Sequence, residues 1–252
     1  MRERSPRLTR VTLAGQEIRD TGSKLPAASV RLLLPEPSGL VLPRWTGNEF
    51  LLPDGRRPLI RTLTPLEADG GPDTLAVDVV RHGRGALHEW LSGLRPDDEV
   101  AVSGPGRGYA VDAGARGYVL AGDEAAAPAI TQLLGVIPPT VPVTVLIEVA
   151  DPSGRVSLGQ TPSASVEFLE QGRDRPPGST LVPAMRAVEI GDHWRVWVAA
   201  EAAAVQQLRR HLFEDRGLGR DQVAAHGYWK DTSLSRSPHR IPPGSTGKVE
   251  EE

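Results

Sequence analysis

The chain has 252 residues, is 39% hydrophobic and 24% charged, and carries a formal net charge of −3. That balance is that of a soluble globular protein and excludes the global basic field that nucleic acid or an anionic membrane selects. The absence of cysteine excludes disulfides, thiolate zinc sites, cysteine-held iron–sulfur clusters and a thiol nucleophile, so redox chemistry requires a bound cofactor. The charged N-terminus, Met1 to Arg7, lacks the apolar core of a signal peptide, and no apolar run is long enough to span a bilayer. These features point to a cytosolic protein with no nucleic-acid partner and no membrane insertion.

Residues 1–112 read as a run of short strands. Arg7 to Leu13 sets Leu8, Val11 and Leu13 among polar residues, and Ser29 to Leu34 is stopped by Pro35 and Pro37. Phe50 to Leu52 runs into the turn signal Pro53-Asp54-Gly55. Extended patterns follow at 57–64, 74–80 and 100–103, with a short helix expected at 88–94. Several short strands between Gly and Pro turns predict an antiparallel β-barrel, closed or nearly so.

From about residue 113 the pattern changes to alternating strand and helix. Tyr118-Val119-Leu120 is an apolar run of the kind a parallel sheet buries on both faces. Gly122 permits a sharp turn, Pro128 suits a first helical turn, and Ile130, Leu133, Leu134 and Ile137 give that helix an apolar face. Further strands are expected at 143–147, 165–169, 194–199 and 222–225, and a helix at 202–213. The architecture expected is thus two-domain: a β-barrel over 1–112, an α/β parallel-sheet domain over 113–232, and a flexible C-terminal tail over 233–252.

The turn after the first α/β strand is where open sheets bind ligands. It is not a dinucleotide fingerprint: Asp123 and Glu124 stand where glycines admit a diphosphate. Two carboxylates suit ribose hydroxyls or a cation, and, taken alone, one of them reads as a helix cap.

Ala121-Gly122-Asp123-Glu124-Ala125-Ala126-Ala127-Pro128-Ala129-Ile130 resembles the AGDE-x-A-x-PAI stretch of siderophore-interacting proteins. These are flavin-dependent ferric-siderophore reductases, distantly related to the ferredoxin-reductase-like flavoenzymes. Five further stretches resemble the family in its order. Arg61-Thr62-Leu63-Thr64 is similar to R-x-Y-T, with Leu63 in place of the aromatic. His82-Gly83-Arg84-Gly85-Ala86-Leu87-His88-Glu89-Trp90 is similar to HG-x-GPAS-x-W, and Ser103-Gly104-Pro105-Gly106 to a GP-x-G turn. Trp197 to Ala202 is similar to W-x-AGEA, with Ala200 replacing Gly, and Gly227-Tyr228-Trp229-Lys230 to GYW plus a basic residue.

The resemblance implies bound FAD and a barrel followed by a nucleotide-binding α/β domain. It assigns FAD to Arg61, Thr62, Leu63, Thr64, Val80, His82, Gly83, Gly85, Ala86, Leu87, His88 and Gly104. It assigns the reductant, NADH or NADPH, to Gly122, Asp123, Glu124, Glu148, Ala200 and Glu201. Glu148 is expected to hold ribose hydroxyls, and the Ala200 methyl is expected to narrow the turn that nicotinamide approaches. An anionic ferric siderophore is the implied substrate, with Arg84, Arg107 and Lys230 as cationic contacts; each also reads as solvated surface charge. No protein ligand to iron is expected. The expected activity is electron transfer from NAD(P)H, or reduced ferredoxin, through FAD to Fe(III). Leu63, Ala200 and the altered sequence after Trp229 keep open a binding protein without turnover. A flavin reductase using free flavin or a quinone as acceptor is a third reading.

Overall fold

A computed structural model describes residues 1–19, 21, 25–83, 85–159, 161–172 and 174–231. Arg84 and the tail expected at 233–252 lie outside these residues.

The N-terminal half is antiparallel. Strand β2 (Leu8–Ala14) lies between β1 (Arg2–Ser5) and β7 (Thr74–Val80). Strand β3 (Val30–Leu33) lies between β6 (Ile60–Leu63) and β8 (Ala101–Ser103). A small hairpin joins β4 (Arg44–Trp45) to β5 (Phe50–Leu51). The two three-stranded sheets share one core of Val11, Val30, Leu75, Val77, Val79 and Leu91. Each such side chain, fully buried, contributes about 2 kcal/mol of transfer free energy. On the opposite face of β7, Asp78 receives the Arg10 guanidinium at 2.8 and 2.9 Å across the strand pair. The barrel expected from the strand pattern is therefore an antiparallel half whose ladders, among the described residues, do not close into a ring. Helix α1 (Ala86–Gly93) follows β7, two residues earlier than its apolar pattern indicated.

The C-terminal half is a parallel sheet in the order β11-β10-β9-β12-β13. Its strands are β9 (Gly117–Asp123), β10 (Val143–Val149), β11 (Ala164–Glu170), β12 (Trp194–Glu201) and β13 (Val223–Trp229), and its helices are α2 (Ala127–Val136), α3 (Leu181–Ala187) and α4 (Ala202–Arg210). Every residue of the central strand β9 is buried. Tyr118 and Leu120 pack with Ile130 and Leu133 of α2, whereas Val119 and Ala121 pack with Leu181 of α3 and Leu208 of α4. Helices on both faces explain why β9 reads as an uninterrupted apolar run. At Gly122 a Cβ would lie 2.5 Å from the Ala199 carbonyl oxygen and 2.4 Å from the Ala126 Cβ, so glycine lets β9 and α2 close on β12. The sheet order reverses between β9 and β12, which places the topological switch point at Asp123 and Glu201.

Strand β13 runs four residues beyond the expected end at Ala225. Its ladder with β12 continues through His226 and Gly227 to Trp229, with an irregularity beside Glu201. This carries Tyr228 and Trp229 to the carboxyl edge of the sheet.

Candidate functional site

The carboxyl edge of the parallel sheet faces the antiparallel half across a cleft of about 1530 Å³. Three contacts hold the halves together. The Arg7 guanidinium donates to both Glu124 oxygens at 2.7 and 3.0 Å. Gln132 of α2 donates to the Pro65 carbonyl at 2.7 Å and accepts from the Ala27 amide at 2.9 Å. The Tyr228 side chain faces Thr64, which is buried at the end of β6.

The barrel-side wall is formed by Arg61, Thr62, Leu63 and Thr64, then by Val80, His82, Gly85, Ala86 and Leu87. Nine of the twelve residues expected to hold FAD therefore share one wall. Gly83, His88 and Gly104 do not line the cleft. Gly85 precedes α1 at φ +86°, where a side chain would be strained, and offers no side-chain cap. The first N–H groups of α1 are thus left to a ligand or solvent. Arg61 donates only to its neighbouring Ile60 carbonyl at 2.9 Å and has no carboxylate partner among the described residues. Uncapped N–H groups, a guanidinium with no carboxylate partner and the apolar side chains of Leu63, Val80 and Leu87 on one wall fit a flavin dinucleotide: a charged diphosphate and a flat apolar ring. The donor set matches the group.

The opposite wall carries Asp123, Glu124 and Glu148, whereas Gly122, Ala200 and Glu201 lie outside the lining. All three wall carboxylates are engaged. Asp123 accepts from the Trp229 indole at 2.7 Å and from the Glu201 and Ala125 amides at 3.0 Å each. Burial pushes the Asp123 carboxyl up to about 7 against these hydrogen bonds, and the Glu124 charge adds to the rise. Glu124 is committed to Arg7 and to the Ala150 amide at 3.2 Å. Glu148, expected to meet ribose hydroxyls, is only 3% exposed. It accepts from the Gly178 amide at 2.6 Å, the Thr180 amide and hydroxyl at 2.9 and 2.7 Å, and the Leu181 amide at 2.9 Å. Ala200 is buried with Leu181 and Ala204 on the α3/α4 side, so its methyl points into the core and does not narrow the cleft.

Arg107 and Lys230, the expected substrate contacts, line the cleft. Arg175, from the loop after β11, joins them unanticipated, and none of the three has a carboxylate partner among the described residues. Arg7, Tyr109, Trp197, His226, Tyr228 and Trp229 also line it without having been singled out as site residues. Burial lowers the His226 imidazole and raises the Tyr109 and Tyr228 hydroxyls to about 12, so all three are neutral at pH 7. The GYW-like stretch at 227–229 was the available signal for Tyr228 and Trp229, whereas nothing in the pattern of β13 showed that its strand continues through His226 to reach the cleft. The Arg-rich segment before Pro176 was the available signal for Arg175. No group of three or more His, Asp or Glu among the described residues is placed to hold a metal ion, and no helix of the described residues is long and apolar enough to cross a membrane.

Comparison with known proteins identifies two adjoining family models: a siderophore-interacting FAD-binding domain over residues 1–109 and a siderophore-interacting protein domain over residues 115–232. An uncharacterized protein of Mycobacterium tuberculosis (strain ATCC 25618 / H37Rv) is 33% identical over 198 residues, covering 71% of this chain and 68% of the relative. The ferric vibriobactin reductase ViuB of Vibrio cholerae is 24% identical over 231 residues, covering 90% of this chain and 85% of ViuB. The crystal structure of a siderophore utilization protein from T. fusca superposes with a TM-score of 0.78 at 31% identity, covering 91% of this chain and 89% of that one. The two-domain fold is the ferredoxin-reductase-like one.

Proposed function

The chain belongs to the siderophore-interacting protein family, and on that premise we propose that it is an FAD-dependent reductase of Fe(III) held by a siderophore, working in the cytoplasm. The observation that carries this reading is the barrel-side wall. It holds the N-terminus of α1, which has no side-chain cap, on the same wall as Arg61, which has no carboxylate partner among the described residues, and an apolar floor.

In this reading Arg61 and the N–H groups at Gly85, Ala86 and Leu87 hold the FAD diphosphate, with His82 and Gly83 shaping the turn before them. Leu63 and Val80 cover the ring, Thr62 lies beside it, and the Thr64 hydroxyl is its hydrogen-bonding partner. When bound, FAD supplies the conversion between two-electron acceptance from NAD(P)H or another reductant and single-electron donation to Fe(III). One dihydronicotinamide therefore reduces two Fe(III) and releases one proton. Arg107, Arg175 and Lys230, which line the cleft without a carboxylate partner among the described residues, are the groups that would meet an anionic ferric siderophore. Siderophore oxygens are hard donors that prefer Fe(III), so reduction loosens the metal without any protein ligand to iron. Tyr228 and Trp229 line the other side of the cleft.

The test is the visible absorbance spectrum of the protein after incubation with FAD and desalting. A retained, shifted flavin spectrum is expected, and Arg61→Ala should weaken FAD binding tenfold or more, since a charged hydrogen bond is worth about 1.5–3 kcal/mol. Wild-type protein that keeps no flavin, or flavin-loaded protein that leaves ferric siderophore oxidised in the presence of NADH, NADPH or reduced ferredoxin, would overturn the proposal. The second reading, binding without turnover, retains one structural motive. Leu63 does line the cleft without an aromatic face, whereas Ala200 no longer supports it.

A further inference from the structure

Open α/β sheets receive a dinucleotide at their carboxyl edge, where the diphosphate takes hydrogen bonds from helix N-termini. In this protein the N–H groups at that edge are already taken by carboxylates of the chain itself. Asp123 fills the turn that opens α2, accepting from the Ala125 amide at 3.0 Å, and its other oxygen takes the Glu201 amide at 3.0 Å. Glu148, at the end of β10, reaches across to α3 and accepts from the Gly178, Thr180 and Leu181 amides. Glu201 caps α4, accepting from the Ala203 and Ala204 amides at 2.6 and 3.1 Å. All three carboxylates are buried. At the switch point α4 starts directly after β12, and the turn that Asp123 caps directly follows β9, so the filled positions are those a diphosphate would need. Helix α1 on the opposite wall has no such cap. The cleft is therefore asymmetric: one wall is open to a diphosphate and the other is closed to it.

We infer that Asp123, Glu148 and Glu201 deny the electron donor a diphosphate anchor, so that a nicotinamide donor is recognised by its dihydronicotinamide ring and adjoining ribose alone. This rests on the reading of the cleft as a flavin site and specifies which part of the donor that site senses. A second diphosphate at the carboxyl edge would have to displace a buried carboxylate from two or three N–H groups, and would stand beside the remaining ones as like charge. The unpaired cations of the cleft, Arg107, Arg175 and Lys230, do not restore the anchor. They are long side chains that bind any anion in a salt-dependent way and carry no preference for a nucleotide.

Two measurements on the full chain test this. The first is calorimetric titration with ADP-ribose, with inorganic pyrophosphate as the control for general anion binding. The second is anaerobic rapid-mixing reduction of the FAD-loaded protein by NADH and by reduced nicotinamide mononucleotide, which lacks the adenylate half. The inference expects no ADP-ribose binding beyond that of pyrophosphate at millimolar concentration, and second-order reduction rates for the two donors within about threefold. Saturable ADP-ribose binding that survives 0.5 M salt, or NADH outrunning the mononucleotide tenfold, would overturn it. If the protein keeps no FAD, the functional reading fails, yet the ADP-ribose titration needs no flavin and still decides this point. Two donors that are equally poor, with no ADP-ribose binding, support the inference and direct the search to a donor that is not a nucleotide.

Discussion

At the scale of single residues, Asp123 and Leu63 make opposite demands on the cleft. Asp123 is buried and its carboxyl is raised to about 7, so the folded chain binds a proton there more tightly than the unfolded chain. Its contribution to stability is present in full below about pH 4 and is lost as pH rises through about 7. Each pH unit in that window is worth about 1.4 kcal/mol. Asp123→Asn should flatten this dependence. Between pH 5 and pH 7, urea unfolding of the wild type should lose about 2 kcal/mol more than the variant, and parallel curves would show that Asp123 is ionised throughout. Leu63 covers a flat ring without stacking on it. Leu63→Tyr should tighten FAD binding several-fold, from the roughly 1 kcal/mol of an aromatic face, as read by fluorescence titration. No change would mean that another cleft aromatic, such as Tyr109 or Tyr228, already supplies that face. The carboxylates themselves were visible in the sequence. Asp123 was recognised as a helix cap or a ligand contact, and the structure shows it capping. What could not be read was the partner of Glu148, because Gly178 and Thr180 lie some thirty residues away and are brought to it only by the return of α3 to the sheet.

Elements show the same division. Strands β2, β3, β7, β9, β10 and β12 were legible because period-2 alternation or an unbroken apolar run follows directly from which faces are buried. Strand β13 was read short because His226, Gly227 and Tyr228 have no apolar pattern; backbone pairing with β12 keeps them extended. Helix α3 depends on a distant acceptor for its start. Its own N-cap residue, Thr180, makes no side-chain capping bond, and Glu148 supplies the acceptor instead. Glu148→Gln replaces one acceptor oxygen with a donor facing N–H groups. It should cost about 3 kcal/mol in chemical denaturation, while FAD retention, which belongs to the opposite wall, should persist. Unchanged stability would contradict the capping role of Glu148.

For the molecule as a whole, function depends on two halves meeting at a fixed distance. Arg7 and Glu124 join them through a paired guanidinium and carboxylate, with Asp151 3.9 Å from the same guanidinium. Arg7→Met should leave Glu124 buried and unpaired at a cost of about 3 kcal/mol. In calorimetry it should split a single unfolding transition into two, as the antiparallel and parallel halves come apart. A single transition, shifted but not split, would assign the coupling to Gln132 and Tyr228. Arg7 stood in the sequence as one strand residue among several arginines, and nothing within its own segment marks it as an inter-domain contact.

The order of the halves, the buried central strands, the Gly-led turn before α1 and the family these motifs belong to could all be read along the chain. All of these depend on residues close together along the chain, where turn chemistry and periodic burial act locally. The tertiary structure decided which polar groups remain available. It joined Glu124 to Arg7, Glu148 to α3 and Asp123 to Trp229, and among the described residues it left Arg61 without a carboxylate and the N-terminus of α1 without a side-chain cap. Hydrogen-bond satisfaction is settled between groups distant in sequence, and it is this that makes one wall of the cleft open to a diphosphate and the other closed.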